Sequence, residues 1–134
     1  MKRGCRSHCP IAFALEIFGD RWTLLVLRDL LLRAKSRYKE FLASEEGIAT
    51  NVLAERLRRL EEERLVTKSR PSGGGRQFVY RPTARALDLL PVLLEISCWS
   101  AKYDPLTAAP PAVMRRIRKN RGSFIRQIRQ QFAV

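Results

Sequence analysis

Histidine is nearly missing: one residue, His8, stands in a chain of 134. That leaves little acid–base or metal chemistry near neutral pH. The only glycine cluster, "SGGGR", lacks the spacing and helix context of a nucleotide-binding loop. No uncharged apolar run reaches the roughly 18 residues of a membrane span, because "TLLVLRDLLL" is interrupted by Arg28 and Asp29. The start, "MKRGCRSHCPIAFALEIF", has Glu16 within its apolar part and no small-residue cleavage site after it, so a cytoplasmic protein without membrane attachment is expected. Three cysteines are an odd count, which argues against a disulfide framework. Cys5, His8 and Cys9 lie close together without a fourth ligand, so neither metal nor cofactor is expected. An enzyme is therefore the weakest functional class.

Acidic residues are also scarce where basic ones concentrate. The net charge is +13, and residues 105–134 hold seven basic residues and no acidic one, leaving 19 basic against 13 acidic in residues 1–104. Such an excess on a small domain favours a polyanionic partner, most often nucleic acid. Apolar residues at 46% supply enough material for one packed domain, and the length excludes two.

What is present reads mostly as helix. Residues 10–18 form an apolar face from Ile11, Ala14, Leu15 and Phe18, with Pro10 suited to a first turn and Gly19 to a stop. A second helix follows Asp20, a good N-cap, and is apolar almost all round, which marks it as central. A third, shorter helix spans about Arg37 to Ser44. After "EEGI", the residues Leu53, Leu57 and Leu60 recur at i, i+4 and i+7 and define the buried side of a fourth helix. Its opposite side carries Asn51, Glu55, Arg58 and Glu62, flanked by Arg59. "LVTKSR" and "RQFVYR" read as two strands joined by "PSGGG", a tip whose glycines accept positive φ. Residues 83–103 read as a long apolar helix with Pro91 as a kink or an early turn, and a basic amphipathic segment follows.

Helix, helix, helix, turn, helix, hairpin, helix is the element order of a winged helix-turn-helix. "CPIAFALEIFGDRWTLLVLRDLLL", "RYKEFLASEEGIATNVLAERLRRLEEERLVTK" and "YRPTARALDLLPVLLEISCW" together resemble the HxlR-type transcriptional regulators, relatives of the MarR group. The resemblance covers residues 9 to about 104. It implies a mainly α fold with a small β-hairpin, extra N- and C-terminal helices forming a dimer interface, and a homodimer on DNA. The chain departs from the family pattern at four places. Ala49 stands where Ser or Thr usually opens the recognition helix, so that Thr50 could serve as the cap instead. Arg64 replaces a usual Gly, Pro82 replaces Leu in the "YSLT" turn, and Ala86 replaces another Gly. If the backbone at Arg64 is left-handed, the cost is about 1 kcal/mol relative to Gly.

On this reading the fourth helix enters the major groove of double-stranded DNA, with Thr50 and Asn51 at its start and Arg58 and Arg59 further along. Lys68, Arg70 and Arg76 on the wing and Arg37 and Lys39 at the start of the third helix meet the backbone. Glu55 would repel phosphate; it either accepts from a cytosine amino group or holds Arg58 or Arg59 in place, and the second is preferred. The partner is a palindromic or pseudo-palindromic operator and the function regulation of transcription, most simply repression. The alternative is a non-specific architectural or RNA-binding protein with the same charge.

Cys9 matches the "CP" cysteine that often senses oxidants or electrophiles in the HxlR family. A thiol at a helix N-terminus beside Lys2, Arg3 and Arg6 should have a depressed pKa, although a cysteine can also be inert filler; Cys98 reads as core. Ile11, Phe13, Ile17, Leu89, Leu93, Ile96 and Trp99 exceed what one small core needs and are assigned to a symmetric dimer interface, while Trp22 and Trp99 also fit a plain core. Residues 1–104 form the winged-helix domain with its dimerisation helices, and residues 105–134 a basic C-terminal extension. That extension could be a helix pair in the dimer, a phosphate-binding arm, a loose tail or a membrane-surface segment; added DNA affinity is the favoured role.

Overall fold

The computed structural model describes residues 7–133. Pro10 opens α1 (Pro10–Phe18), where its missing N–H costs nothing. Gly19 ends that helix for a steric reason, since a Cβ there would collide with the Leu15 carbonyl oxygen. Asp20 caps the turn that follows: its Oδ1 accepts from the N–H groups of Trp22 and Thr23 at 2.8 and 2.9 Å, and its Oδ2 from the Thr23 hydroxyl at 2.5 Å. Helix α2 (Thr23–Leu32) then runs through the centre, with Val26, Leu27, Leu30 and Leu31 buried.

The helix-turn-helix consists of α3 (Tyr38–Leu42) and α4 (Thr50–Glu62), joined through Gly47 at φ +72°. Leu53, Leu57 and Leu60 of α4 are at most 2% exposed, as their spacing predicts. They pack with Val26, Leu27, Leu30 and Phe41 in the main core. A buried carboxylate, Asp29 of α2, accepts from the Ser44 hydroxyl and pairs with Arg28 at 2.9 Å, so that the turn after α3 is bonded to the central helix.

Helix α4 ends in a Schellman turn: Leu65 N–H reaches the Leu60 carbonyl at 2.8 Å and Arg64 N–H the Glu61 carbonyl at 3.1 Å. This closure demands a left-handed residue, and Arg64 supplies it at φ +61°. The family's usual glycine is thus replaced where its freedom is needed. The wing follows as β1 (Val66–Ser69) and β2 (Val79–Pro82), antiparallel, with Val66 opposite Pro82 and Ser69 opposite Val79. Its strands are shorter than the sequence runs, because the nine residues between them form one loop with Gly73 and Gly74 at positive φ.

The expected helix over residues 83–103 is two helices, α5 (Ala84–Leu87) and α6 (Leu90–Tyr103). Pro91 lies in the first turn of α6, where a proline is tolerated. The basic segment is also two helices, α7 (Pro111–Lys119) and α8 (Arg121–Gln131), divided at Asn120, whose side chain caps α8 by accepting from Ser123 N–H. Met114, Ile117 and Ile128 from these helices are buried against Leu31, Leu90, Leu93 and Leu94. The segment placed apart from residues 1–104 therefore contributes to a core shared with α2 and α6.

Three of the apolar residues assigned to a dimer interface pack within the chain instead. Leu93, expected at a dimer surface, is 6% exposed and packs inside the chain with Leu31, Leu90 and Ile128, because α8 covers that side of α6. Leu89 and Ile17 are half-buried against the main core. By contrast, Ile11, Phe13, Ile96 and Trp99 are exposed, Trp99 by 67%. No residue of α1 is buried within the described chain.

Candidate nucleic-acid interface

Three chain segments meet at the start of α4, and two hydrogen bonds fix them. Tyr80 N–H of the wing donates to the Ser36 carbonyl at 2.7 Å, so the residues before α3 join the edge of β2. The Tyr38 hydroxyl of α3 donates to the Thr50 carbonyl at 2.6 Å. The Phe41 and Tyr80 rings meet edge to face, with centroids 6.2 Å apart, beneath this junction. Arg37 and Lys39, Thr50 and Asn51, and the wing residues Lys68, Arg70 and Arg76 are all exposed on the segments so joined.

Thr50 does not cap α4. The N-cap is Ala49, which has no side-chain oxygen to offer, and Thr50 is the first helical residue. No side chain caps this exposed helix start, so its N–H groups and positive dipole end face outward.

Further along α4 the arginines divide. Arg58 is exposed and held between Glu55, at 3.1 Å, and Glu62, one turn on. The Glu55–Arg58 pair accords with the preferred role of Glu55 as a holder of Arg58 or Arg59, and Glu55 also pairs with Arg56. Arg59 departs from its assignment: its guanidinium donates to the Glu16 carbonyl of α1 at 3.2 Å, because the helix phase turns it toward that helix. Arg56, which the sequence reading passed over, flanks the buried leucine stripe and donates to Asp20 at 3.0 Å. Its position next to Leu57 was the available signal.

The wing is basic and aromatic together. Lys68 Nζ lies 4.3 Å, and Arg70 Cζ 4.8 Å, from the centre of the Phe78 ring. Phe78 thereby gathers two cations on one side of the hairpin. Arg70 also donates to the Gly75 carbonyl at 3.4 Å.

Away from this surface, Cys9 is exposed at the N-cap of α1. Its thiol is held below the ordinary value by the N–H groups of Ala12 and then Ile11, which outweigh a small opposing effect of burial. Cys5, Lys2, Arg3 and Arg6 lie outside the described residues. Cys98 is half-buried beside Leu94, Met114 and Ile117, with an Arg121 nitrogen 4.0 Å from its sulfur.

The family model of HxlR-like helix-turn-helix proteins matches residues 17–107. The chain belongs to this family. An HTH-type transcriptional regulator of Mycobacterium tuberculosis is 34% identical over 102 residues, which are 76% of this chain and 63% of that protein; the match thus spans less than two thirds of that relative. The HTH-type transcriptional regulator YvaP of Bacillus subtilis is 32% identical over 72% of this chain and 91% of its own length. The crystal structure of PA1607 superposes with a TM-score of 0.69 at 34% identity, covering 78% of this chain and 73% of that one. Reduced YodB from B. subtilis, a transcriptional regulator, superposes at 0.61 with 26% identity over 74% of this chain and 97% of its own. YodB structures also exist in quinone-bound and diamide-treated forms. The winged helix-turn-helix fold and the role of transcriptional regulator are those of the HxlR family. Among the described residues no helix is long and apolar enough to cross a membrane.

Proposed function

We propose that the protein is a cytoplasmic, non-enzymatic regulator that binds double-stranded operator DNA as a homodimer and represses the genes beside it. The supporting observation is the junction at Thr50: two hydrogen bonds hold the start of α3, the start of α4 and the wing together, with exposed Arg37, Lys39, Asn51, Lys68, Arg70 and Arg76 on all three. The open N-terminus of α4 attracts phosphate, Asn51 reads a base edge, and the flanking cations hold register on the backbone. Arg58 reaches DNA only by leaving Glu55 and Glu62, so it contributes less than its exposure implies.

Exposed Arg115, Arg118 and Lys119 on α7 support a further contribution to phosphate affinity. The homodimer is supported by the unburied α1 and by exposed Ile96, Trp99 and Tyr103 on α6. Thiol regulation rests on the lowered pKa and exposure of Cys9, together with the quinone-bound and diamide-treated forms of YodB.

A competition binding assay against genomic fragments tests the reading. Specific fragments should bind about 10³-fold or more tightly than bulk DNA. Asn51→Ala should remove about 1–3 kcal/mol of that discrimination, whereas replacing Arg115, Arg118 and Lys119 by Gln should flatten the salt dependence and leave the discrimination unchanged. Equal affinity for all fragments would instead support a non-specific architectural protein.

A further inference from the structure

Between α2 and the helix pair α7–α8 lies a half-open cleft of about 670 Å³. That is within the size range of small-molecule sites. Its body is apolar, with Leu94, Val113, Met114, Phe124 and Ile128 among its walls. Three arginines also line it, Arg28, Arg33 and Arg116, and among the described residues that line it there is no carboxylate.

The three cations are not equivalent. Arg28 is paired with Asp29 and Glu46, and Arg33 with Glu45, so their charge is spent inside the protein. Arg116 bonds to Gln127, a neutral amide, and lies with its Cζ 5.3 Å from the centre of the Phe124 ring. Neither contact neutralises it. Beyond Arg116 and Gln127 a second recess is lined by Ser123, Arg126 and Gln130, again with no carboxylate among its described lining. Residues 105–134 contain no acidic side chain, so these helices have no countercharge of their own to offer.

We infer that this cleft binds an amphipathic organic acid, its hydrocarbon body against Leu94, Met114 and Phe124 and its carboxylate on Arg116. An apolar wall with one uncompensated, partly stacked guanidinium selects for such a ligand: the body gains from leaving water, and the head forms a charge-assisted pair. Helices beyond residue 107, where the family match ends, close the site over α2 and α6 and supply Arg116. It goes beyond the DNA-binding reading and is tested by binding alone, so either can fail without the other.

The test uses the full chain labelled at Met and Ile methyl groups, titrated with decanoate below its micelle concentration and, separately, with decan-1-ol. Decanoate should shift the Met114 and Ile128 methyls saturably and leave Ile11, on the exposed face of α1, in place. Decan-1-ol should bind about tenfold more weakly, and Arg116→Gln should weaken decanoate roughly tenfold while leaving the alcohol unchanged. Ala109→Trp, which fills the cleft and keeps Arg116, should abolish both, and it carries the test if the arginine variant does not fold. Absent shifts, shifts at Ile11 equal to those at Met114, or equal affinity for acid and alcohol would overturn the inference.

Discussion

Arg56 Nε donates to Asp20 Oδ1 at 3.0 Å, fastening the middle of α4 to the turn that precedes α2. Burial alone would raise the Asp20 pKa, but the Thr23 hydroxyl, Trp22 N–H, Arg56 and Thr23 N–H together bring it down to about 2. The folded value lies below the unfolded carboxylate's value of about 3.9. Its contribution to stability is therefore complete above that unfolded value and is lost as pH falls through about 2. In urea titrations between those limits, Asp20→Asn should show a shallower loss of stability with acid than the parent protein; identical slopes would remove Asp20 from the acid response.

Arg64→Gly should stabilise the protein by about 1 kcal/mol. The residue has φ +61° inside a Schellman turn, and its carbonyl accepts from the Thr83 hydroxyl at 2.6 Å, a bond that glycine retains. The change relieves backbone strain without removing a contact of the main chain. Chemical denaturation should show a higher midpoint at an unchanged slope.

The leucine stripe of α4, the central α2 and the hairpin were legible because each writes its burial in a short period: three leucines at helical spacing, a nearly all-apolar helix, strands flanking glycines. The junction at Thr50 was not legible, since it depends on Tyr38 and Tyr80 meeting backbone carbonyls of other elements. Arg58 and Arg59 looked alike in sequence; one is held by Glu55 and Glu62, the other turned to Glu16 of α1, a difference that only the neighbouring helix decides. Leu93 misled for a related reason: its partner Ile128 comes from a segment whose charge drew attention away from its apolar spacing.

Cys9 should be alkylated faster than Cys98. It is exposed, and the Ala12 and Ile11 N–H groups favour its thiolate, whereas Cys98 is half-buried among Leu94, Met114 and Ile117. Mass spectrometry after brief iodoacetamide treatment at neutral pH should find the label on Cys9, with a rate that rises with pH through a value below the ordinary thiol's roughly 8.5. Equal labelling of both cysteines would deny Cys9 its special character.

If the proposed homodimer forms through the exposed face of α6, Trp99→Glu should yield a monomer with its helical content intact. The ring is 67% exposed and stacks obliquely on Tyr103 at 5.4 Å, so the chain's own core does not depend on it. A carboxylate there would have to be desolvated on association, a cost of several kcal/mol. Light scattering at micromolar concentration reads the mass, and a variant with the parent's mass would place the dimer surface elsewhere.

Met114→Ala should lower stability by about 2 kcal/mol, the low end of the cost for a buried methionine, because one side of Met114 already borders the cleft. Met114 is 4% exposed and packs with Leu94 and Ile117, although it belongs to a segment whose composition suggests an appendage. Arg115→Ala, one residue along and exposed, should change stability by no more than about 0.5 kcal/mol. The contrast separates two roles for the C-terminal helices. If they only supply charge, both substitutions are neutral in denaturation. If they close the core over α2 and α6, as the burial of Met114, Ile117 and Ile128 requires, the methionine variant alone loses stability, in a single cooperative transition.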